Sequence, residues 1–156
     1  MNKIKKVAFG TDHAAAKEVR NTVKEYLVSI GYEVEDFGYD GDGSCDYPDY
    51  AVKVAEAVLE KKADKGILIC GTGIGMSIAS NKVHGIIAAV CWDEDTAKLA
   101  AQHNGADVLC LGSRTATVSE LCARIKVFLE TEFEARHEKR LLKVKDIEKL
   151  QCLRQR

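Results

Sequence analysis

Apolar positions along the chain switch regularly between two periods. Ile4 to Gly10 is a short apolar run, read as a first strand. An alanine-rich stretch after Thr11-Asp12-His13 predicts a helix, with Val19, Val23, Tyr26, Leu27 and Ile30 on one face. Gly31 stands where a residue just past a helix end belongs. Glu33 to Phe37 alternates and predicts a second strand, followed by a Gly- and Asp-rich loop from Gly38 to Pro48. A second helix is expected from Asp49 to about Lys62, with Val54, Ala55, Val58 and Leu59 inward. Ile67 to Ile69 is a third strand, and Met76, Ile78, Ala79, Asn81 and Lys82 read as a short helix after Gly75. Ile86 to Cys91 has no polar residue and predicts a strand buried on both faces. Asp93 to His103 reads as helix four and Val108 to Leu111 as strand five. Val118, Leu121, Cys122, Ile125, Phe128 and Leu129 give the apolar face of helix five.

Five strands alternating with five helices imply a three-layer α/β/α, Rossmann-like fold around a five-stranded parallel sheet. Such sheets bind ligands beyond the carboxyl ends of their strands. Those ends carry Asp12 and His13, Cys70 to Gly75, Asp93, and Gly112-Ser113-Arg114. His103 and Asn104 end helix four, so the pattern does not place them at that edge. Beyond Phe133 the chain turns basic, through Arg136, His137, Lys139, Arg140, Lys143 and Lys145 to Arg154 and Arg156. One account is a solvated charged helix. Leu141, Leu142, Val144, Ile147 and Leu150 favour a face that packs on something. Arg136 and Arg140, four apart, would share a face and could clamp a phosphate. We read residues 1–156 as one domain, with 133–156 a C-terminal helical extension packing on a partner subunit.

Composition narrows the class. A net charge of −1 argues against a general nucleic-acid binder. No apolar run approaches a membrane span, and the N-terminus lacks the apolar core of a signal peptide. Six cysteines without a C-x-x-C pair read as free thiols in a cytoplasmic protein, with Cys91 and Cys110 in the core.

The candidate chemistry gathers in Ile69-Cys70-Gly71-Thr72-Gly73-Ile74-Gly75. A strand feeding a glycine turn that opens a helix converges several backbone N–H groups on one point and suits an anion there. Cys70 ends the strand at the same place. A free thiol is only about 3% thiolate at neutral pH, and such a turn favours the ionised form. The plain alternative is a small buried apolar residue. A dinucleotide fold is a second alternative. The spacing is G-x-G-x-G instead of G-x-G-x-x-G, yet Asp93 ends the next strand, about where a ribose-binding acid would lie.

Taken together, several motifs resemble one family. They are Asp12-His13, Asp46-Tyr47-Pro48-Asp49-Tyr50, the glycine turn, Ala79-Ser80-Asn81-Lys82, Gln102-His103-Asn104, Gly112-Ser113-Arg114, and Arg136-His137 with Arg140. In this order, over nearly the whole chain, they resemble the ribose-5-phosphate isomerase B family, within the wider RpiB/LacA/LacB sugar-phosphate isomerases. The resemblance implies an aldose–ketose isomerase with no metal and no organic cofactor. It implies that Cys70 is the base moving a proton between C1 and C2. Another branch uses a glutamate at the position of Met76, so Cys70 is the one evident base. It implies that Thr72, with the N–H groups of Gly71, Gly73 and Gly75, holds the enediolate oxygens. His103 would open the furanose ring, helped by Asn104. His13, Arg136, Arg140 and Arg114 would bind the phosphate, and Asp12 and Tyr47 the sugar. Family members are homodimers or dimers of dimers whose sites are shared between subunits.

The chain departs from the family at Ala14-Ala15-Ala16, where small or glycine-rich residues are usual. It also departs at Phe133-Glu134-Ala135, where Gly-Gly commonly precedes the Arg-His pair. Three classes stay open: an isomerase, a nucleotide-binding oxidoreductase and a non-catalytic sugar-phosphate sensor. Within the first, ribose 5-phosphate is favoured over allose or galactose 6-phosphate because the motif set is complete in one chain.

Overall fold

The computed structural model describes residues 4–154; Arg156 lies outside them. The elements follow in the order β1 (Lys6–Thr11), α1 (Lys17–Ser29), β2 (Glu33–Asp36), α2 (Tyr47–Leu59), β3 (Lys65–Cys70) and α3 (Ile74–Ser80). Then come β4 (Ala88–Val90), α4 (Glu94–Gln102), β5 (Val108–Gly112), α5 (Val118–Glu130), a 3-10 turn (Ala135–His137) and α6 (Glu138–Arg154). All strand pairs are parallel, in the order β2-β1-β3-β5-β4. The expected three-layer arrangement is therefore present. No helix among the described residues is long and apolar enough to cross a membrane.

Strand alternation divides the core between the two faces of the sheet. Val7, Phe9, Ile67, Ile69, Leu109 and Leu111 pack with Val23, Leu27, Leu121, Ile125 and Phe128 from α1 and α5. Ala8, Leu68, Cys70, Val108 and Cys110 face the other way, onto Ala51, Val54, Ala55 and Met76 of α2 and α3. Cys70 thus shares a layer with the start of α2, where Tyr47 stands. The cysteines expected in the core, Cys91 and Cys110, are buried.

Several expectations are corrected. Ala14–Ala16 do not join α1, which starts at Lys17. The Asp12 carboxylate accepts the Ala14 N–H and holds a turn there instead. α2 starts two residues early because Pro48 suits a first helical turn, where its missing N–H costs nothing. Leu59, expected inward, is 47% exposed in the last turn of α2. β4 is only Ala88–Val90 and lies at the sheet edge, with Ala89 and Val90 half-buried. Its apolar run reflects coverage at the two ends, where Ile86 and Cys91 are buried. Apart from Leu141, which approaches Gly105, the apolar side of α6 stays largely uncovered among the described residues. Leu142, Val144, Ile147 and Leu150 are all more than half exposed, and only Leu141 is half-buried.

The opposite edge strand is pinned by charge. Asp36, at the end of β2, takes Arg20 at 2.9 Å, Lys24 at 2.9 Å and the Gly38 N–H at 2.8 Å. Burial opposes ionisation of Asp36, but the Gly38 N–H, Lys24 and Arg20 outweigh it and hold the carboxyl below its ordinary range. Arg20 also reaches Asp40 and the Tyr39 carbonyl, so this cluster sets the start of the loop that ends at Cys45 and Tyr47. A carboxyl whose pKa is lowered by folding stabilises above the unfolded value, near 3.9, and that contribution is lost as pH falls through the folded value. We predict that Asp36→Asn costs about 2–4 kcal/mol at pH 7, since it leaves Arg20 poorly paired. The loss should shrink as unfolding is repeated below pH 4, and a pH-independent difference would remove the ion-pair explanation.

Candidate active site

β3 is the central strand, and it ends in the glycine turn. Gly73 takes φ +80°, a value closed to most side chains, and caps α3, so the helix opens at Ile74 and Gly75 lies inside it. This geometry turns the Gly73 N–H back onto the Cys70 Sγ, at 3.1 Å. The Thr72 hydroxyl accepts from the Ile74 N–H at 3.3 Å, and Thr72 itself is exposed. The turn is backed by the exit of β5. Ser113 N–H donates to the Cys70 carbonyl at 2.8 Å and Arg114 N–H to the Gly71 carbonyl at 3.0 Å. A Cβ on Gly112 would lie 2.7 Å from the Thr72 Cα, so only glycine admits this approach. The Arg114 side chain lies over Gly71, and the Tyr47 ring lies against Gly75. Asp12 is buried beside β1. His13 is exposed, with Nδ1 between the Cys45 carbonyl at 3.1 Å and the Cys45 N–H at 3.2 Å. Asp12, His13, Tyr47, Cys70 to Gly75 and Arg114 therefore share the carboxyl edge of the sheet.

The remaining expected residues do not join them. α4 runs back antiparallel to the strands, so His103 and Asn104 reach the amino edge. There Ile87 pairs with Asp107 just ahead of β5. His103, Asn104 and Arg140 line a cavity of about 400 Å³ with Ile87, His137, Leu141 and Val144. The two groups are separated by the length of β5, roughly 15 Å. Within one chain Cys70 and His103 cannot act on one small substrate, and His13 is parted from Arg136 and Arg140. The two arginines also differ from expectation. Arg136 is in the 3-10 turn and pairs with Glu134, whereas Arg140 is on α6 and donates to His137 Nδ1 at 3.0 Å.

Two residues of this second group were not assigned from sequence. The His137 ring is buried and lies 4.2 Å from the ring of His103, centroid to centroid. Partial burial and the nearby His103, Arg136 and Arg140 lower its pKa below the ordinary value. Glu134 accepts from the Gln102 amide and from Arg136. The Arg136 hydrogen bond, chiefly, holds its carboxyl below its usual range. The signal was the spacing: Glu134 and His137, three apart, meet across one turn. His103, Glu134 and His137 bring one potential metal-ligand atom each within 4.8 Å of one another. Arg136 and Arg140 already engage two of those groups, so the cluster is cationic and suits an anion better than a metal.

Asp93 does not play the part of a ribose-binding acid. Its carboxylate caps α4 through Thr96, and its strand lies at the sheet edge, away from the glycine turn.

A thiol held against a glycine turn at the carboxyl edge, with an imidazole cluster at the amino edge, is not the layout of a dinucleotide fold. A family model described as Ribose/Galactose Isomerase matches residues 7–144. The chain belongs to this family. It is 41% identical to the ribose-5-phosphate isomerase B of Escherichia coli over 93% of this chain and 97% of that one. The type B ribose 5-phosphate isomerase of Leishmania infantum shares 47% identity at a TM-score of 0.86, covering 95% of this chain and 99% of that one. The ribose-5-phosphate isomerase B of Mycoplasma genitalium, solved with bound ribulose-5-phosphate, shares 40% identity at a TM-score of 0.87, covering 92% and 96%.

The six cysteines should differ sharply in reactivity. Burial pushes Cys91 up to about 11 and Cys110 well above its ordinary value. The Cys70 Sγ faces the Gly73 N–H in the glycine turn. We expect iodoacetamide to inactivate the protein by modifying Cys70, with inorganic phosphate protecting. Peptide mapping at full inactivation should find Cys91 and Cys110 unmodified; inactivation with Cys70 intact would contradict this account.

Proposed function

We propose that this chain is an aldose–ketose isomerase that interconverts ribose 5-phosphate and ribulose 5-phosphate through an enediolate. The observation that carries the reading is the Gly73 N–H aimed at Cys70 Sγ inside the glycine turn that opens α3, a place suited to a developing oxyanion. Cys70 takes the proton from C2 and returns it to C1. Thr72 and the N–H groups of Gly71, Gly73 and Gly75 hold O1 and O2 as charge develops there. Asp12 and Tyr47 contact the sugar hydroxyls. His103, beside Asn104, moves the proton that opens the furanose. His13 and Arg114 from one edge, and Arg136 and Arg140 from the other, grip the phosphate. No step calls for a metal or an organic cofactor. The named substrates and the bound ribulose-5-phosphate of the relatives support the pentose over a hexose 6-phosphate. Free thiols fit a reducing compartment, so we place the protein in the cytoplasm.

Because the two residue groups stand at opposite edges of one sheet, we further propose that the working site is built across a homodimer, possible also within a dimer of dimers. The carboxyl edge of one subunit then faces the amino edge of the other. The uncovered apolar side of α6 supports a partner-packed C-terminal extension.

Two measurements test this. Cys70→Ser should fold normally and lose well over tenfold in kcat on ribose 5-phosphate, with weaker turnover of allose and galactose 6-phosphates by the wild type. Retention of more than about a tenth, a loss under ~1.4 kcal/mol, would rule out the thiolate base. Separately inactive Cys70→Ser and His103→Asn chains should regain activity when refolded together. A mixed dimer holds one intact site only if Cys70 and His103 come from different subunits, so random pairing predicts about a quarter of wild-type activity. No recovery despite mixed dimers would place both residues in one subunit's site.

A further inference from the structure

The amino-edge cluster holds an anion of its own. Glu134 N–H bonds the Gln102 carbonyl at 2.8 Å, and its Oε1 accepts from the Gln102 amide, so the residue is tied to the neighbour of His103 by backbone and side chain. Its Oε2 receives Arg136 Nε and stands 3.7 Å from His137 Nε2. Arg140 can only donate, so His137 Nδ1 must accept, and the proton of the neutral ring sits on Nε2. That Nε2 is buried and has no hydrogen-bond partner among the described residues. The 3.7 Å gap to Glu134 is too long for a hydrogen bond. The cluster thus presents a buried, unmet donor and two guanidiniums, with a tethered carboxylate lying against them.

We propose that Glu134 determines how tightly this chain holds a phosphate, because it is an internal anion that the incoming phosphate must displace from Arg136. This rests on the reading of Arg136 and Arg140 as phosphate ligands. A carboxylate carries one charge and is held by one guanidinium in an exposed contact. A phosphate dianion carries two charges and has oxygens enough for Arg136, Arg140 and His137 Nε2 together. It therefore wins the exchange, but against a standing competitor and beside a like charge that stays nearby. Glu134 weakens the site for every anion, and most for those that cannot reach all three donors. A positioning role for Glu134 predicts the opposite sign: freeing Arg136 would then loosen the phosphate.

The test is Glu134→Gln, which keeps an acceptor for Gln102 but removes the charge. The expected result is a fall of roughly three- to tenfold in KM for ribose 5-phosphate, the scale of one partly screened charge. The inhibition constant of inorganic phosphate should fall by a similar factor, with kcat held within about twofold. Glu134→Ala should move both constants the same way if the effect is charge and not geometry. Direct titration of wild type, Glu134→Gln and Arg140→Ala with inorganic phosphate separates the two layers of argument. If Arg140→Ala binds phosphate as well as the wild type, the placement of the phosphate fails. If Arg140→Ala binds weakly while Glu134→Gln is unchanged or weaker than the wild type, the placement stands and the displacement role of Glu134 is overturned.

Discussion

The contact on which the site depends is the close approach of two backbones, where the turn after β3 meets the exit of β5. Cys70 and Gly112 are register partners, and beyond them the Cys70 and Gly71 carbonyls accept from Ser113 and Arg114. Gly112 leaves Thr72 no room for even a methyl between them. The turn is braced from behind by these peptide hydrogen bonds, so its backbone is held in place, with the Gly73 N–H on the Cys70 Sγ. A donor fixed before substrate arrives costs nothing to orient when charge develops, which is the sense in which such a turn is preorganised. The thiol of Cys70 inherits its direction from strand alternation, which sends it to the α2/α3 layer, where Tyr47 already lies.

How much of this could be read from the sequence depends on the range of the interaction. The strands, helices and glycine turn rest on local periodicity and on glycine's freedom, so they were legible to within a few residues. The faces of α1 and α5 were read correctly because the same apolar spacing that forms those helices also buries them. The errors fall where a distant contact decides. Ile86 to Cys91 reads as a strand buried on both faces, but strand order is set by pairing, and β4 pairs on one side only. Ala14–Ala16 have high helix propensity, yet the Asp12 carboxylate bonds the Ala14 N–H and holds a turn ahead of α1.

The geography of the candidate residues was legible only in part. Asp12, His13, Cys70 to Gly75 and Arg114 end or follow strands, so the topology of a parallel sheet places them, and Tyr47 starts α2 after the loop from β2. His103 follows a helix, and a helix in such a sheet returns the chain to the opposite edge. By spacing alone Arg136 and Arg140 would share a helix face, but the 3-10 turn ahead of α6 breaks that helix between them. Glu134 and His137 are not legible in the sequence for a related reason. Their importance comes from Gln102 and His103, more than thirty residues away in sequence, against which the turn folds.

One topological rule therefore has two consequences on the proposed reading. A parallel sheet gathers turns rich in free N–H groups at its carboxyl edge, which suits an enediolate and a thiolate. The same connectivity delivers the residues after its helices to the other edge, a strand's length away. A reaction needing both a proton-transfer turn and a ring-opening imidazole cannot be completed inside one such domain unless a long loop carries one group around the sheet. Here the segment after α4 is only His103 to Asp107 and is tied to Ile87 by Asp107, so it has no such reach. The less costly solution is a second copy turned so that opposite edges meet. Two identical clefts then form from one kind of contact, and the uncovered apolar side of α6 has a surface on which to close.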